Sequence, residues 1–483
     1  MSFFRGRTTT TRANKISEFT VNTAEYGAVV PEIIGTVRTA GNVIYYDDFT
    51  AHEHRETHKA GKGGRSKQVS ITYTYTVAVI LGLCEGPIFG IGKVWIGKNV
   101  HNYPADDIQL TLFDGKENQQ PWAYTQGKHP EKALPYPGLA YMAGVIDLGD
   151  SGSMPSYNFE VKGRLLETGD GVDVNPADYI RYVLDKIGKK DMQIIGLDNY
   201  RKYCKEADLL ISSPPDEEAK AAREVVNEIA KLTNAYVFWS NDKLKIVPLA
   251  DRPVGSWAPD KTGITDLTAD DFLPQSGGAL VTYKRKDSSA IYNQFPVEFI
   301  NRANGYEKES VSYEFTEDIK NYGVRAASVT NAHYIYTKER AVKIAEQLAR
   351  NNKYERTQYT FKLDWSLCRL EVGDLVRLTD ENSGIFEQVA VINGITEGTD
   401  GCLTVTAISR APGDYPAAKY NVHANDRPYI DYNKTAPDTV PVIFQPPADL
   451  TADGLELWIA AKGKTDGWGG CTVYVSDDNT NYR

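Results

Sequence analysis

The stretch from Ile71 to Leu81 constrains this chain more than any other part of its sequence. Ile71, Tyr73, Tyr75, Val77, Val79 and Leu81 alternate with Thr72, Thr74 and Thr76 in the first half of that run. Successive side chains of a strand point to opposite faces, so a period of two fits a β-strand and no helix. Upstream, from Phe19 to Phe49, short β-rich runs are broken by Gly27, Gly35 and Gly41, the pattern of twisted antiparallel strands joined by tight turns. Between the two lies Thr50 to Lys67, with three histidines, several charges and the run Ala60-Gly61-Lys62-Gly63-Gly64. It shows no apolar periodicity and reads as a long mobile loop.

Helical periodicity first appears after Val161. Asn175 as N-cap and Pro176 at the first helical position introduce the stripe Ile180, Val183, Leu184 and Ile187, and Gly188 stops it. A second helix is expected after Pro214-Pro215, with Asp216, Glu217 and Glu218 at its positive end and Ala222, Val225, Val226 and Ile229 inward. A hairpin follows, Tyr236 to Trp239 and Leu244 to Val247 around Ser240-Asn241-Asp242, so 164–250 reads as an α+β unit. From Gly278 to Arg410 the text is β again, in a second barrel-like unit. One amphipathic helix near Lys338 to Asn351 interrupts it, burying Ala341, Ile344, Ala345 and Leu348. In its later part Val372-Gly373-Asp374 turns into Leu375 to Leu378, and Gly394 to Gly401 separates the last strands. A Pro-, Asn- and Asp-rich linker runs from Ala411 to about Pro447, and strands resume at Leu455 to Ala460 and Cys471 to Ser476. The piece after the linker is too short to close an immunoglobulin-like sandwich, which needs about 100 residues.

A chain of 483 residues calls for several packing units, about 3 to 4 at ordinary domain size. Its formal net charge of -10 opposes counterion-driven attachment to nucleic acid and is compatible with a wall that DNA slides past. The five cysteines, Cys84, Cys204, Cys368, Cys402 and Cys471, stand singly, without zinc-knuckle or redox spacing. They read as apolar fillers in a protein assembled in a reducing cytoplasm. The N-terminus has no apolar leader, and the longest strongly apolar run, Val77 to Cys84, is far short of the ~18 residues of a membrane span.

Chemistry-bearing clusters are few. His54 and His58 would share a helix face at i and i+4, but Arg55 stands where a zinc-protease motif needs Glu, so His52, His54 and His58 are read as solvated loop residues. Gly86 to Lys93 and Lys59 to Lys67 both fail the phosphate-loop spacing. The pairs Asp106-Asp107, Asp270-Asp271 and Asp477-Asp478 suit turns or opposite strand faces better than paired acid/base work. No nucleophile elbow is present, and no cysteine has a recognisable histidine partner. The expectation is therefore no enzyme: no catalytic, cofactor-binding or metal-binding residue and no cofactor. The 30 tyrosines suit wet subunit interfaces and strand packing equally.

Tyr26-Gly27, Val30-Pro31, Gly35, Arg38, Gly41 and Ile44-Tyr45 resemble the opening signature of phage tail hub proteins related to lambda host-specificity protein J and the gene-transfer-agent hub. Tyr73 and Tyr75, Leu83 to Pro87 and Gly90 to Trp95 resemble the most recognisable block of that family, and Pro155 to Val161 the end of its first domain. The region around Trp239, the turn at Val372 to Asp374 and Trp468 to Cys471 follow in the family's order.

The resemblance implies a mainly β fold with α+β, a multidomain hub with two tube-like β-barrel units, an α+β unit and a partial C-terminal β-sandwich. Expected boundaries are 1–15 for an arm, 16–163 for a first hub β domain with the loop 50–67, and 164–277 for the α+β domain. A second tube-like β domain at 278–412, a linker at 413–447 and the start of a fibronectin- or Ig-like sandwich at 448–483 complete them. It further implies a structural baseplate hub or tail tip protein, joining the tail tube to the distal tip and forming the DNA exit channel or its plug. Its implied partners are two more copies in a homotrimer and the distal tail, tail tube, tape measure and receptor-binding or fibre proteins, with DNA only in transit. The virion tail tip, assembled in the host cytoplasm, is its implied place. The alternatives are a β-rich tail-associated glycan-binding or glycan-cleaving protein and a metal-stabilised loop protein.

Overall fold

The structure, a computed structural model, describes residues 8–16, 19, 29–60, 66–105, 108–215, 220–240, 242–250, 252–259, 264–275, 277–287, 291–410, 438–447, 450–451, 456–464, 470–476 and 478. Its N-terminal part is built from β1 (Thr8–Arg12), β2 (Thr36–Ala40), β3 (Asn42–Ala60), β4 (Ser66–Glu85), β5 (Gly90–Ile96), β6 (Asn99–Asn102), β7 (Thr111–Phe113), β8 (Leu139–Gly149) and β9 (Tyr157–Lys162). They form two sheets. One has the order β2-β9-β5-β6; in the other β4 lies between β3 and β8, with β7 outside β8 and β1 pairing in parallel with Lys67 to Ile71 of β4. Val37, Val79, Leu81, Val94, Phe159 and Val161 belong to the core these sheets share.

The alternation expected in β4 is present: Ile71, Tyr73, Tyr75, Val77, Val79 and Leu81 are all buried. Beyond Val77 the opposite face is covered too, because Ile80 joins Tyr141, Phe113 and Trp122 in a small second cluster beside the helix Ala123–Lys128.

The segment 50–67 is not the expected loop. Residues 50–60 are the outer half of β3 and pair antiparallel with β4, His52 opposite Thr74, His54 opposite Thr72 and His58 opposite Gln68. Apolar periodicity was the wrong signal, since this half of β3 alternates two polar sets. Glu53, Arg55 and Thr57 oppose the buried Tyr73, Ile71 and Val69, while His52, His54, Glu56 and His58 lie on the other face. Residues 61–65, with most of the glycine run, lie outside the described residues.

A second core joins the helices Pro176–Lys186, Leu197–Glu206 and Ala222–Leu232 to the hairpin Ala235–Ser240 and Lys243–Pro248. The first of these starts as expected, with the Asn175 side chain accepting from the Ala177 N–H at 3.0 Å. The helix expected after Pro214-Pro215 begins only at Ala222; Val226 and Ile229 are buried and Ala222 and Val225 half-buried, and 216–219 lie outside the described residues. The same core takes in Val297 and Phe299 of the strand Gln294–Asn301 and Ala341, Ile344 and Ala345 of the helix Lys338–Tyr354. Leu348, expected inside, is only partly buried against it. The stretch 278–412 is thus divided among three cores, since Ile300 and Tyr336 join the first. Its remainder, with Thr265–Leu267 and Phe272–Leu273, forms a seven-stranded sheet around Phe361, Leu363, Val376, Leu378, Val405 and Ala407.

Gly394, expected at the start of a turn, sits inside the strand Ile385–Glu397 where the register shifts. Farther on, Thr439–Phe444, expected as linker, pairs antiparallel with Trp458–Gly463. Its sequence, Thr-Val-Pro-Val-Ile-Phe, is a β-run in which one proline is tolerated on an edge strand. Cys471 to Ser476, expected as a strand, is irregular. Residues 411–437, the rest of the expected linker, lie outside the described residues.

Candidate functional site

Among the described residues, a large concentration of buried charge lies where the first two cores meet. Asp173, 2% exposed, sits just ahead of the Asn175 cap. Its carboxylate accepts from both terminal nitrogens of Arg302, from Arg340 and, at 2.6 Å, from the Ser212 hydroxyl. Arg340 reaches on to Asp208 at 2.8 Å and Asp170 at 3.2 Å, and Lys343 also meets Asp208, at 3.1 Å. Arg302 donates to the Thr36 carbonyl of β2 at 3.2 Å and to the Tyr306 hydroxyl at 3.3 Å, and Tyr306 donates to Glu160 of β9 at 2.8 Å. One continuous network therefore runs from the first β sheets through the Asp173 turn to the helix carrying Arg340.

Burial by itself would raise the Asp173 pKa, but the Arg302 guanidinium, the Ser212 hydroxyl and the Arg340 charge outweigh it and hold the carboxyl below its ordinary range. Burial likewise opposes the charge on Arg302, and the Asp173 carboxylate more than restores it. Taking out one member of such a set leaves a desolvated charge without its partner, which costs about 3–5 kcal/mol. The arrangement ties distant segments together through one buried acid held below its ordinary range and flanked by two arginines.

Two of the glycines in the hub-like signature are explained here. Gly35 has φ +83°, and a Cβ on it would overlap the Ser212 side chain; a Cβ on Gly92 would overlap the Glu160 carboxylate. Arg38 and Trp95, from the same signature, stack at 4.7 Å, and Arg38 donates to the Gly305 carbonyl at 2.7 Å. Motifs separated along the chain thus converge on one seam with the 301–307 turn.

The second feature is the ribbon of β3 and β4. β8 stops pairing with β4 at Tyr75, so residues 66–74 and their β3 partners run on past it for about 30 Å. The arm strand β1 covers part of that length: Arg12 donates to Tyr73 at 2.7 Å and Glu53 at 3.0 Å, and the Ile16 N–H to the Tyr75 hydroxyl at 2.7 Å. A third feature is an open cleft of about 1000 Å³ between the first two cores, with Val29, Val30, Ile44, Tyr182, Ile187 and Val329 in its lining.

Asp47, Asp48 and His129 bring ligand-type atoms within 4.8 Å of one another, a cluster sequence reading missed because His129 is 81 residues from Asp48. Their carboxylates already have donors: Lys132 donates to Asp47 at 2.6 Å, and Tyr124 and His129 both meet Asp48 Oδ2, at 2.8 and 3.0 Å. Of the acidic pairs weighed in the sequence, Asp271 accepts from the Thr268 N–H at 2.8 Å, as a turn does. Asp106, Asp107 and Asp477 lie outside the described residues. Sequence reading also missed the ionic junction, whose partners are 129 and 167 residues apart.

The chain is mainly β and multidomain, with a charged centre where its first two cores meet. Residues 221–391 match the family model described as "Putative phage tail protein". The fold is similar to that of a chain in the virion of a native gene transfer agent particle, with TM-score 0.61 at 18% identity over 83% of this chain and 89% of that one. Weaker likenesses are to the 43 kDa tail protein of prophage MuSo2 from Shewanella oneidensis (TM-score 0.32, 13% identity, 79% of this chain and 100% of that one) and to a tail protein from Neisseria meningitidis MC58 (TM-score 0.32, 9% identity, 78% and 96%). No curated protein sequence matches the chain. The match over 221–391 is thus to a phage tail family, and over most of its length the chain shares the fold of the gene-transfer-agent virion chain.

Proposed function

We propose that this chain is the hub at the distal end of a phage tail, a non-enzymatic part that joins the tail tube to the tip and surrounds the DNA exit or its plug. The observation that carries the reading is the agreement in fold with a gene-transfer-agent virion chain over most of both lengths. The hub-like landmarks Gly35, Arg38, Gly92 and Trp95 meeting at one seam support it. A tip must carry load between a tube and its attachments, and a buried, fully paired ionic network favours one fixed arrangement of units over many. In this reading three copies form the ring, the tape measure, tail tube and distal tail proteins dock on it, and receptor-binding or fibre proteins attach beyond it. The net charge of -10 suits a passage that DNA does not adhere to.

Antibody-gold labelling of purified particles tests the position. Label at the tail end supports the hub, and label along the tail or on the head overturns it. The mass of the purified assembly tests the ring: three times the chain mass is expected, and a stable monomer counts against it.

A further inference from the structure

The geometry points to a divalent transition-metal site on the outward face of the ribbon, formed by Glu56 and His58 as one two-ligand clamp and His52 and His54 as a second. The strand, in place of the expected loop, puts all four residues on one face. Residues i and i+2 of a strand share a face about 6.6–6.8 Å apart, close enough for two imidazoles, or an imidazole and a carboxylate, to converge on one ion.

Glu56 Oε2 and His58 Nε2 are 3.4 Å apart. Two donors bonded at about 2.05 Å to one tetrahedral zinc ion lie about 3.4 Å from each other, so this pair already has a chelating separation. His52 and His54 share that face two residues apart, their Nε2 atoms 2.8 and 2.7 Å from the hydroxyls of Thr76 and Thr74. Those partners are neutral, and a metal displaces them without separating a charge pair.

The surroundings favour a cation. Among the described residues of this face, His52, His54, Glu56, His58 and their β4 neighbours Gln68, Ser70, Thr72, Thr74 and Thr76 include one carboxylate and no lysine or arginine. Arg12 and Arg55 belong to the opposite face, with Glu53 and Tyr73. The Asp47, Asp48 and His129 cluster differs in this respect, because Lys132 and Lys128 already sit against its carboxylates. Each clamp supplies two of the four ligands of zinc, and water completes the set. Imidazole-rich donors select zinc, copper or nickel over magnesium and calcium.

The test is equilibrium dialysis of the full chain against zinc chloride at pH 7.5, with metal counted per chain. Two ions are expected, one lost in His58→Gln, one in His54→Gln and both in the combined variant, whereas His101→Gln, on a different strand, changes nothing. Circular dichroism confirms that these exposed substitutions leave the fold intact. One ion that only His58→Gln removes would keep the Glu56 and His58 clamp and overturn the other. Failure to bind zinc, or binding that survives the combined variant, overturns the proposal. Its outcome is independent of where on the particle the chain resides.

Discussion

The junction around Asp173 and the outer ribbon of β3 and β4 use the same residue types to opposite ends. Both gather arginine, carboxylate and hydroxyl groups. At the junction Asp173 is 2% exposed and every carboxylate oxygen has a donor; on the ribbon Arg12 and Glu53 pair at 3.0 Å with side chains 62% and 43% exposed. Burial, and not composition, decides which group of charges binds the fold together and which stays available to solvent and ligands.

The sharpest way to break that comparison is to remove one charge from the junction. Asp173→Ala leaves Arg302 and Arg340 facing each other without their shared acceptor and is expected to cost about 3–5 kcal/mol in urea denaturation. An effect under about 1 kcal/mol would mean the junction is no tighter than a surface pair. Leu81→Ala, in the part of β4 buried on both faces, is expected to cost about 2–5 kcal/mol, and Ile71→Ala, on the ribbon, less than that.

Acid should separate the two regions next. The folded pKa of Asp173 is depressed, so its contribution is complete above the unfolded value of about 3.9 and is lost as pH falls through the folded value. Asp173→Asn is therefore expected to flatten the acid limb of the stability profile; an unchanged limb would assign acid loss to other carboxylates. The smallest effect belongs to the ribbon: Glu53→Gln should leave the denaturation midpoint within error at any salt concentration. A midpoint that moved, and moved less in high salt, would show the exposed pair contributing after all.

What sequence made legible follows the same division. Period-two apolar alternation located the core half of β4, and Asn175-Pro176 with Gly188 bounded a helix to within two residues, because these signals are local. The outer half of β3 escaped because its two faces are both polar, so alternation of His52, His54, Glu56 and His58 against Glu53, Arg55 and Thr57 carries no hydropathy contrast. The junction escaped for another reason: nothing near Asp173 announces Arg302 or Arg340, which only the closed fold brings within hydrogen-bond distance. The landmark glycines were visible, yet their cause was not, since the atoms that exclude a Cβ from Gly35 and Gly92 come from Ser212 and Glu160.

The long reach of Asp173 also sets a timetable. A ribosome that has released 173 still has to make Arg302 and then Arg340 before that carboxylate has its neighbours. The two-sheet N-terminal unit can collapse early on its own apolar core, but the seam closes only after most of the polypeptide has been synthesised. Until then the faces that will meet there stay open to water, and both cores still lack residues that the late chain supplies, Val297 and Phe299 in one and Ile300 and Tyr336 in the other.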